Sequence, residues 1–105
     1  MEHKTRELLE ALLLLIPMGK VTTYSSLAKV LGLHPRTVGK MLSKNEKLIV
    51  VPCHRVVRSD GSLGGYKLGV EFKRKLLMFE GVKFCGEKVC KESIIDVAEL
   101  FGLQA

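Results

Sequence analysis

Leu48-Ile-Val-Val-Pro-Cys-His-Arg-Val-Val57 (LIVVPCHRVV) is the stretch on which the fold and the chemistry of this chain turn. Two aliphatic runs, residues 48–51 and 56–57, enclose the tetrapeptide Pro52-Cys-His-Arg55. Runs of this kind predict a short buried strand, interrupted at Pro52, which lacks a backbone donor and breaks the ladder. A thiol, an imidazole and a guanidinium are then held side by side at a kink in buried backbone. Placing three such groups there costs stability, which points to chemistry as the reason. The competing reading makes Cys53 a small core residue, as most unpaired cysteines are.

Upstream, a pair of short helices is expected. Thr23 or Ser25 caps the first, which buries Leu27, Ala28, Val30 and Leu31 and ends at Gly32. His34-Pro35 opens the second, with the proline at the tolerated first turn. Val38, Met41 and Leu42 form its core face, while Arg36, Lys40 and Lys44 recur every four residues as a basic edge. Helix, glycine-containing turn and basic helix is the pattern of a helix-turn-helix. A plain helical hairpin with a solvated charged face reads the same way. Gly39 inside the second helix costs about 1 kcal/mol relative to alanine; close approach to a groove or a tight helix–helix contact each explains it. Earlier still, residues 4–16 predict an amphipathic helix. Leu8, Leu9, Leu12, Leu13 and Ile16 form its wide buried stripe, and Pro17 and Gly19 stop it.

Downstream, Ser59-Asp-Gly-Ser62 is a strong turn signal. Residues 56–58 and Leu63 flank it as a small hairpin resembling the wing of a winged helix-turn-helix. Gly64-Gly-Tyr66 and Gly69 make a loop beside the tetrapeptide. Residues 70–80 return to helical periodicity, with Phe72, Leu76, Leu77 and Phe79 apolar, Lys73, Arg74 and Lys75 basic, and Gly81 as the stop. Residues 82–90 read as a hairpin around Gly86-Glu87. Ser93 is the expected cap of a last helix carrying Ile94, Ile95, Ala98 and Phe101. The fold class expected is mainly α with a small β-hairpin, a winged helix-turn-helix-like domain over residues 1–82. Residues 83–105 are expected to be a carboxy-terminal extension packing on it.

The bulk properties agree with one small domain: 105 residues, 47% hydrophobic, net charge +6 and pI near 9.4. Residues 92–105 hold three acids and no Lys or Arg, which leaves +9 on residues 1–91. A compact basic body favours a polyanion such as nucleic acid. No apolar run approaches the roughly 20 residues of a membrane span, and the amino terminus lacks the pattern of a secretory signal. A cytoplasmic protein, nuclear if eukaryotic, with reduced thiols is expected. Cys53, Cys85 and Cys90 match no common zinc spacing, so neither metal nor cofactor is expected.

A free thiol is only a few per cent thiolate at neutral pH, and activating it takes a proton acceptor. His54 is adjacent, but neighbours on an extended strand point to opposite faces. A bridging water or the break at Pro52 has to supply the contact with Cys53. A carboxylate orienting His54 would complete a Cys-His-acid relay, and Glu80 at the end of the basic helix is best placed for it. Arg55 is expected to brace the fold rather than react.

With these pieces in place, the chain resembles the active-site and DNA-binding domain of O6-alkylguanine-DNA alkyltransferases (methylated-DNA–protein-cysteine methyltransferases). The matching motifs run in order: Ile16-Pro-Met-Gly-Lys-Val-Thr-Thr-Tyr24, Arg36-Thr-Val-Gly39, Asn45, Pro52-Cys-His-Arg-Val56, Gly64-Gly-Tyr66 and Lys73-Arg-Lys-Leu-Leu-Met-Phe-Glu-Gly81. They cover about residues 5–82, and their order makes the match far more specific than the tetrapeptide alone.

The resemblance implies that Cys53 takes an alkyl group from guanine O6 onto its own sulfur, irreversibly and once per molecule. It implies that His54 acts through water as base, that Glu80 holds His54, and that Asn45 braces the turn carrying the cysteine. Arg36 would fill the space left by a flipped nucleotide. Tyr24 would meet the rotated phosphate or the guanine edge and help the leaving base accept a proton. Thr37, Gly39, Lys40 and Lys44 would complete the surface facing the minor groove of double-stranded DNA. Val56, Tyr66, Lys67, Gly64 and Gly65 would form the base and alkyl pocket. A monomer without membrane partner is implied. Related alkyltransferase-like proteins bind alkylated guanine without repairing it but carry another residue at the cysteine position. A non-enzymatic damage sensor is therefore the alternative.

Overall fold

Glycine and proline punctuation divides the chain into short elements in the computed structural model, which describes residues 2–102. The first helix, α1 (Glu2–Leu14), ends before the Pro17–Gly19 stop, and its last turn tightens through Leu15 N to Leu12 O and Ile16 N to Leu13 O bonds. Leu9, Leu12, Leu13 and Ile16 are buried, whereas Leu8 stays exposed, so the buried stripe is narrower than expected. A two-residue strand, β1 (Thr22–Thr23), leads into α2 (Tyr24–Leu31). Thr23 Oγ1 caps that helix by accepting from Ser26 N, and Gly32 ends it in the left-handed conformation. Next, α3 (Pro35–Ser43) has Pro35 in its first turn, and His34 Nδ1 accepts from Arg36 N as its cap.

The wing expected over residues 56–63 does not form as an antiparallel hairpin. Instead β2 (Val56–Val57) pairs in parallel with β1, Thr22 opposite Val56 and Thr23 opposite Val57. Residues 58–62 close a turn through Arg58 N to Ser62 O and Gly61 N to Arg58 O bonds. The reason is burial. Successive strand residues face opposite ways, so Val56 enters the core built by α1, α2 and α3, and Val57 enters a second core with Val21, Leu63, Leu77, Val82 and Val89. A strand buried on both faces pairs where the chain packs, and a turn signal alone does not decide its partner. The antiparallel hairpin of the fold lies further on, between β3 (Phe84–Cys85) and β4 (Lys88–Val89), around the expected Gly86-Glu87 turn.

Between them, α4 (Val70–Phe79) presents Leu77 to the second core, with Lys73 one turn earlier on the same face. Phe72 and Phe79, expected on the apolar face, are exposed, Phe79 by 86%. The final helix, α5 (Val97–Leu100), is capped by Asp96 rather than Ser93. Ser93 sits buried in a preceding 3-10 turn, where its Oγ accepts from Lys83 N. Ile94 and Ile95 thus lie outside the helix, and Ile95 N bonds Val21 O. Val97 and Ala98 are fully buried, Val97 in the first core, so the tail completes the body as well as covering it.

The expectation of three reduced thiols is corrected: Cys85 and Cys90 form a disulfide, while Cys53 is free. The hairpin brings their Cα atoms to 5.1 Å, inside the range a disulfide requires. Among the described residues, no helix is long and apolar enough to cross a membrane.

Candidate active site

Cys53 is presented by a tight turn and not by a strand. Residues 48–51 are not extended and buried as expected: Ile49 and Val50 are exposed, and Ile49 has φ 72°, a conformation a β-branched residue adopts only under strain. Bonds from Val51 N to Lys47 O and from Cys53 N to Val51 O fold the segment back, and Cys53–Arg55 form a 3-10 turn. Neighbouring side chains on a three-residue turn diverge by roughly a third of a revolution. Cys53, His54 and Arg55 therefore point to three different environments.

Asn45 holds the thiol in place. Its Nδ2 donates to Val51 O at 3.1 Å and to Cys53 Sγ at 3.2 Å, and its Oδ1 accepts from Lys47 N at 2.9 Å. The amide is buried, so both of its hydrogen-bonding ends are used within the turn that carries the sulfur.

His54 is fully buried, and its Nε2 lies 3.0 Å from Glu80 Oε2. Arg55 donates from Nε to Glu80 Oε1 and from Nη2 to Oε2, each at 2.9 Å, and from Nη1 to Ile16 O at 2.8 Å. The Glu80 side chain is only 4% exposed. The cysteine turn and the end of α4 are thus tied at one carboxylate, and Arg55 links both to the segment just after α1. The turn at Gly19 brings backbone close to that knot: an added Cβ would stand 3.2 Å from Glu80 O, at φ 94°. Glu80 is held below the usual carboxylate range by hydrogen bonds from Arg55 and His54, which outweigh the opposing effect of burial. Burial lowers the His54 pKa despite the partial compensation from Glu80, so the ring is neutral near pH 7. With Nε2–H donating to Glu80, Nδ1 is the basic nitrogen, and it is buried with no hydrogen-bond partner among the described residues. His54 and Cys53 share no direct hydrogen bond.

Cys53 lines an open cavity of about 1080 Å³. Tyr24, Arg36, Gly39, Gly64, Gly65, Tyr66 and Lys67 line it with Cys53. Burial raises the Tyr24 pKa, so its phenol remains a donor. Gly64 is required next to it: at φ 72°, an added Cβ would lie 2.9 Å from Tyr24 Oη. Tyr66 meets His54 edge-on and stacks on Phe72, while Lys67 Nζ donates to Asn45 O at 3.1 Å. An added Cβ at Gly39 would meet nothing within 4 Å, which removes the helix–helix contact as the reason for that glycine. Thr37, Lys40 and Lys44 are exposed on or just after α3 and lie outside the cavity lining.

Two sequence expectations change here. Val56 does not line the cavity; it is fully buried in the first core because β2 pairs with β1. Lys73, read only as one of three basic residues of its helix, is fully buried, and its Nζ donates to Val56 O, Leu63 O and Gly65 O. It fastens the glycine loop of the cavity to the strand that follows Cys53, and burial lowers its pKa to about 8. Lys73 lies four residues before core Leu77 and so shares its helix face. That spacing was the available signal. The cavity wall formed by Arg58, Ser59 and Asp60 was also missed by the sequence reading.

The family profile described as "6-O-methylguanine DNA methyltransferase, DNA binding domain" matches residues 4–82. A methylated-DNA–protein-cysteine methyltransferase of Pyrobaculum aerophilum is 54% identical over 79 residues, covering 75% of this chain and 53% of that protein. The chain spans about half the length of the curated relatives it matches. Among solved structures, Mycobacterium tuberculosis OGT in complex with DNA superposes with a TM-score of 0.67 at 38% identity, covering 71% of this chain and 47% of that one. S. pombe Atl1 in complex with damaged DNA containing O6-carboxymethylguanine has a TM-score of 0.67 at 27% identity, covering 77% of this chain and 79% of that one.

Proposed function

We propose, from the premise that this chain belongs to the 6-O-methylguanine DNA methyltransferase family of DNA-repair alkyltransferases, that it repairs O6-alkylguanine in duplex DNA by a single irreversible transfer to Cys53. The observation that carries this reading is a free thiol held by Asn45 at the cavity, in a turn that also carries His54, buried against Glu80. Basic α3 docks in the minor groove as a monomer, and Arg36 enters the base stack in place of the extruded nucleotide. Extrusion costs about a few kcal/mol and is cheapest for a weakly paired, damaged base. Lys40 and Lys44 neutralise phosphates and carry no sequence information.

In the transfer, the Cys53 proton passes through a water to His54 Nδ1. The sulfur attacks the alkyl carbon, forming the S–C bond as the C–O6 bond breaks. The guanine leaves with the bond's electron pair and takes a proton with help from the Tyr24 hydroxyl. The thioether product has no leaving group for reversal, so each molecule acts once. Glu80 is a positioning residue, holding the His54 tautomer in which Nδ1 is basic.

Incubation with excess O6-methylguanine duplex is expected to add one methyl to the intact mass, localised to Cys53 by peptide mapping. Unchanged mass with the lesion still present, despite tight binding, would favour the second reading, a damage sensor without transfer. That reading draws on the likeness to S. pombe Atl1 in complex with damaged DNA.

The pH dependence follows from His54. Burial holds its pKa below the ordinary histidine value, so the acid limb of the methyl-transfer rate is expected to have its midpoint below pH 6.5, with the rate highest at neutral pH and falling as the buffer becomes more acidic. A midpoint of the acid limb at or above pH 6.5, measured by quenched single-turnover assays, refutes His54 as the base. Stability moves the same way. Between the unfolded and the lowered folded pKa values of His54 and Glu80, the unfolded chain binds more protons. Folding is therefore weakened as pH drops below about 6.5.

A further inference from the structure

The β3–β4 hairpin lies beyond the residues that the family profile matches, yet it is packed against one wall of the cavity. Val89 N donates to Gly61 O at 2.9 Å, joining β4 to the turn over residues 58–62. At Gly61 the two backbones approach so closely that an added Cβ would stand 2.7 Å from Val89 O and 3.3 Å from Lys88 Cβ. Val89 is buried in the second core beside Leu63, and Lys88 Nζ lies 3.5 Å from Asp60 Oδ2. Hydrogen bonds from Ser62 hold the Asp60 pKa at about 2, so that carboxylate is an anion throughout the useful pH range. Arg58, Ser59 and Asp60, in or beside the same turn, line the cavity that Cys53 reaches. One covalent bond, Cys85–Cys90, closes the hairpin, and Cys85 is exposed.

We propose that the disulfide-closed hairpin is a redox-responsive buttress that fixes the cavity wall over residues 58–62 and so sets which O6 substituents Cys53 receives. The last clause rests on the alkyltransferase reading; the mechanical coupling does not. A soluble dithiol reaches Cys85, gives up two electrons and two protons, and closes its own disulfide, leaving Cys85 and Cys90 as thiols. Cys53 is a thiol before and after. Two-residue strands have little stability of their own, so the opened hairpin releases Gly61, and the wall loses its backing.

The test compares oxidised protein, protein reduced with dithiothreitol, the Cys85→Ser/Cys90→Ser variant, and a Lys88→Ala variant with the disulfide intact. Amide exchange followed by mass spectrometry is expected to accelerate about tenfold or more on reduction, both in residues 83–91 and in residues 58–63. The double variant is expected to match the reduced protein, and Lys88→Ala to show a smaller change in the same direction. Acceleration confined to residues 83–91 overturns the coupling. Reduction is also expected to slow methyl transfer from O6-methylguanine duplex more than transfer from the bulkier free base O6-benzylguanine, raising their rate ratio several-fold toward the bulky group. An unchanged ratio overturns the specificity clause. If Cys53 accepts an alkyl group from neither probe in either redox state, the alkyltransferase reading fails, and the exchange arm still decides the coupling.

Discussion

Replacing Cys53 with alanine is expected to abolish alkyl transfer while leaving affinity for O6-methylguanine duplex within about twofold of the parent chain, because phosphate contacts supply most of such affinity. Cys53 is 8% exposed, and its side-chain bond is a weak one from Asn45 to sulfur. Asn45 Nδ2 keeps its bond to Val51 O in the variant, so the turn retains its brace. The folding cost is about 1 kcal/mol, typical of a small buried truncation. Mass spectrometry for adducts and fluorescence anisotropy with a labelled duplex separate chemistry from binding. Residual adduct in Cys53→Ala would move the acceptor elsewhere. A large loss of affinity together with transfer would make the cysteine part of the docking surface.

Glu80→Ala is expected to be the most damaging single change to the fold. The carboxylate is the shared partner of Arg55 and His54, and its loss leaves a guanidinium with 13% exposure and an imidazole with none facing an unpaired void. Breaking a buried charged pair by removing one partner costs about 3–5 kcal/mol, equivalent to a fall in Tm of about 15–25 °C for a domain of this size. Total stabilities are only about 5–15 kcal/mol, so the variant sits near the threshold of folding. Glu80→Gln preserves shape and one acceptor, and is expected to lose roughly half as much. Its kinetics carry the functional content. At a temperature where Glu80→Gln is fully folded, methyl transfer should still be slower by about a hundredfold, the lower range for a positioned general base. Calorimetry paired with single-turnover rates measures both. A folded Glu80→Gln protein transferring at the parental rate would reduce Glu80 to a structural brace.

Local signals carried a large part of this fold. Thr23 and Gly32 bound α2, and His34-Pro35 opens α3, because caps and proline act within one turn of chain. Gly86-Glu87 turns a hairpin for the same reason. Where partner choice depended on distant residues, the local signal misled. Residues 56–58 carry a turn that suits a hairpin, yet β2 pairs with β1, more than thirty positions earlier, since that places Val56 and Val57 in separate cores. Ser93 has the chemistry of a cap, but the bond from Val21 N to Ser93 O and burial of Ser93 commit it to the junction with β1, so Asp96 caps α5. Residues 48–51 are aliphatic enough for a buried strand, but the return from α3 to Pro52 leaves room only for a turn, with Val51 inside and Val50 outside.

The same division runs through the candidate site. Residue identity and order by themselves determined the thiol, the imidazole beside it, the distant carboxylate and the basic helix, because these are chemical properties carried by single side chains. Only the tertiary structure decided what each one touches. It placed Asn45 rather than His54 against the sulfur, gave Arg55 and His54 one shared carboxylate, and buried Lys73 beneath the glycine loop. It also joined Cys85 to Cys90 behind a cavity wall more than twenty residues away in sequence. The physical reason is range: capping, turn and periodicity act over a few residues, whereas burial and charge pairing are settled by whichever surfaces the whole chain brings together.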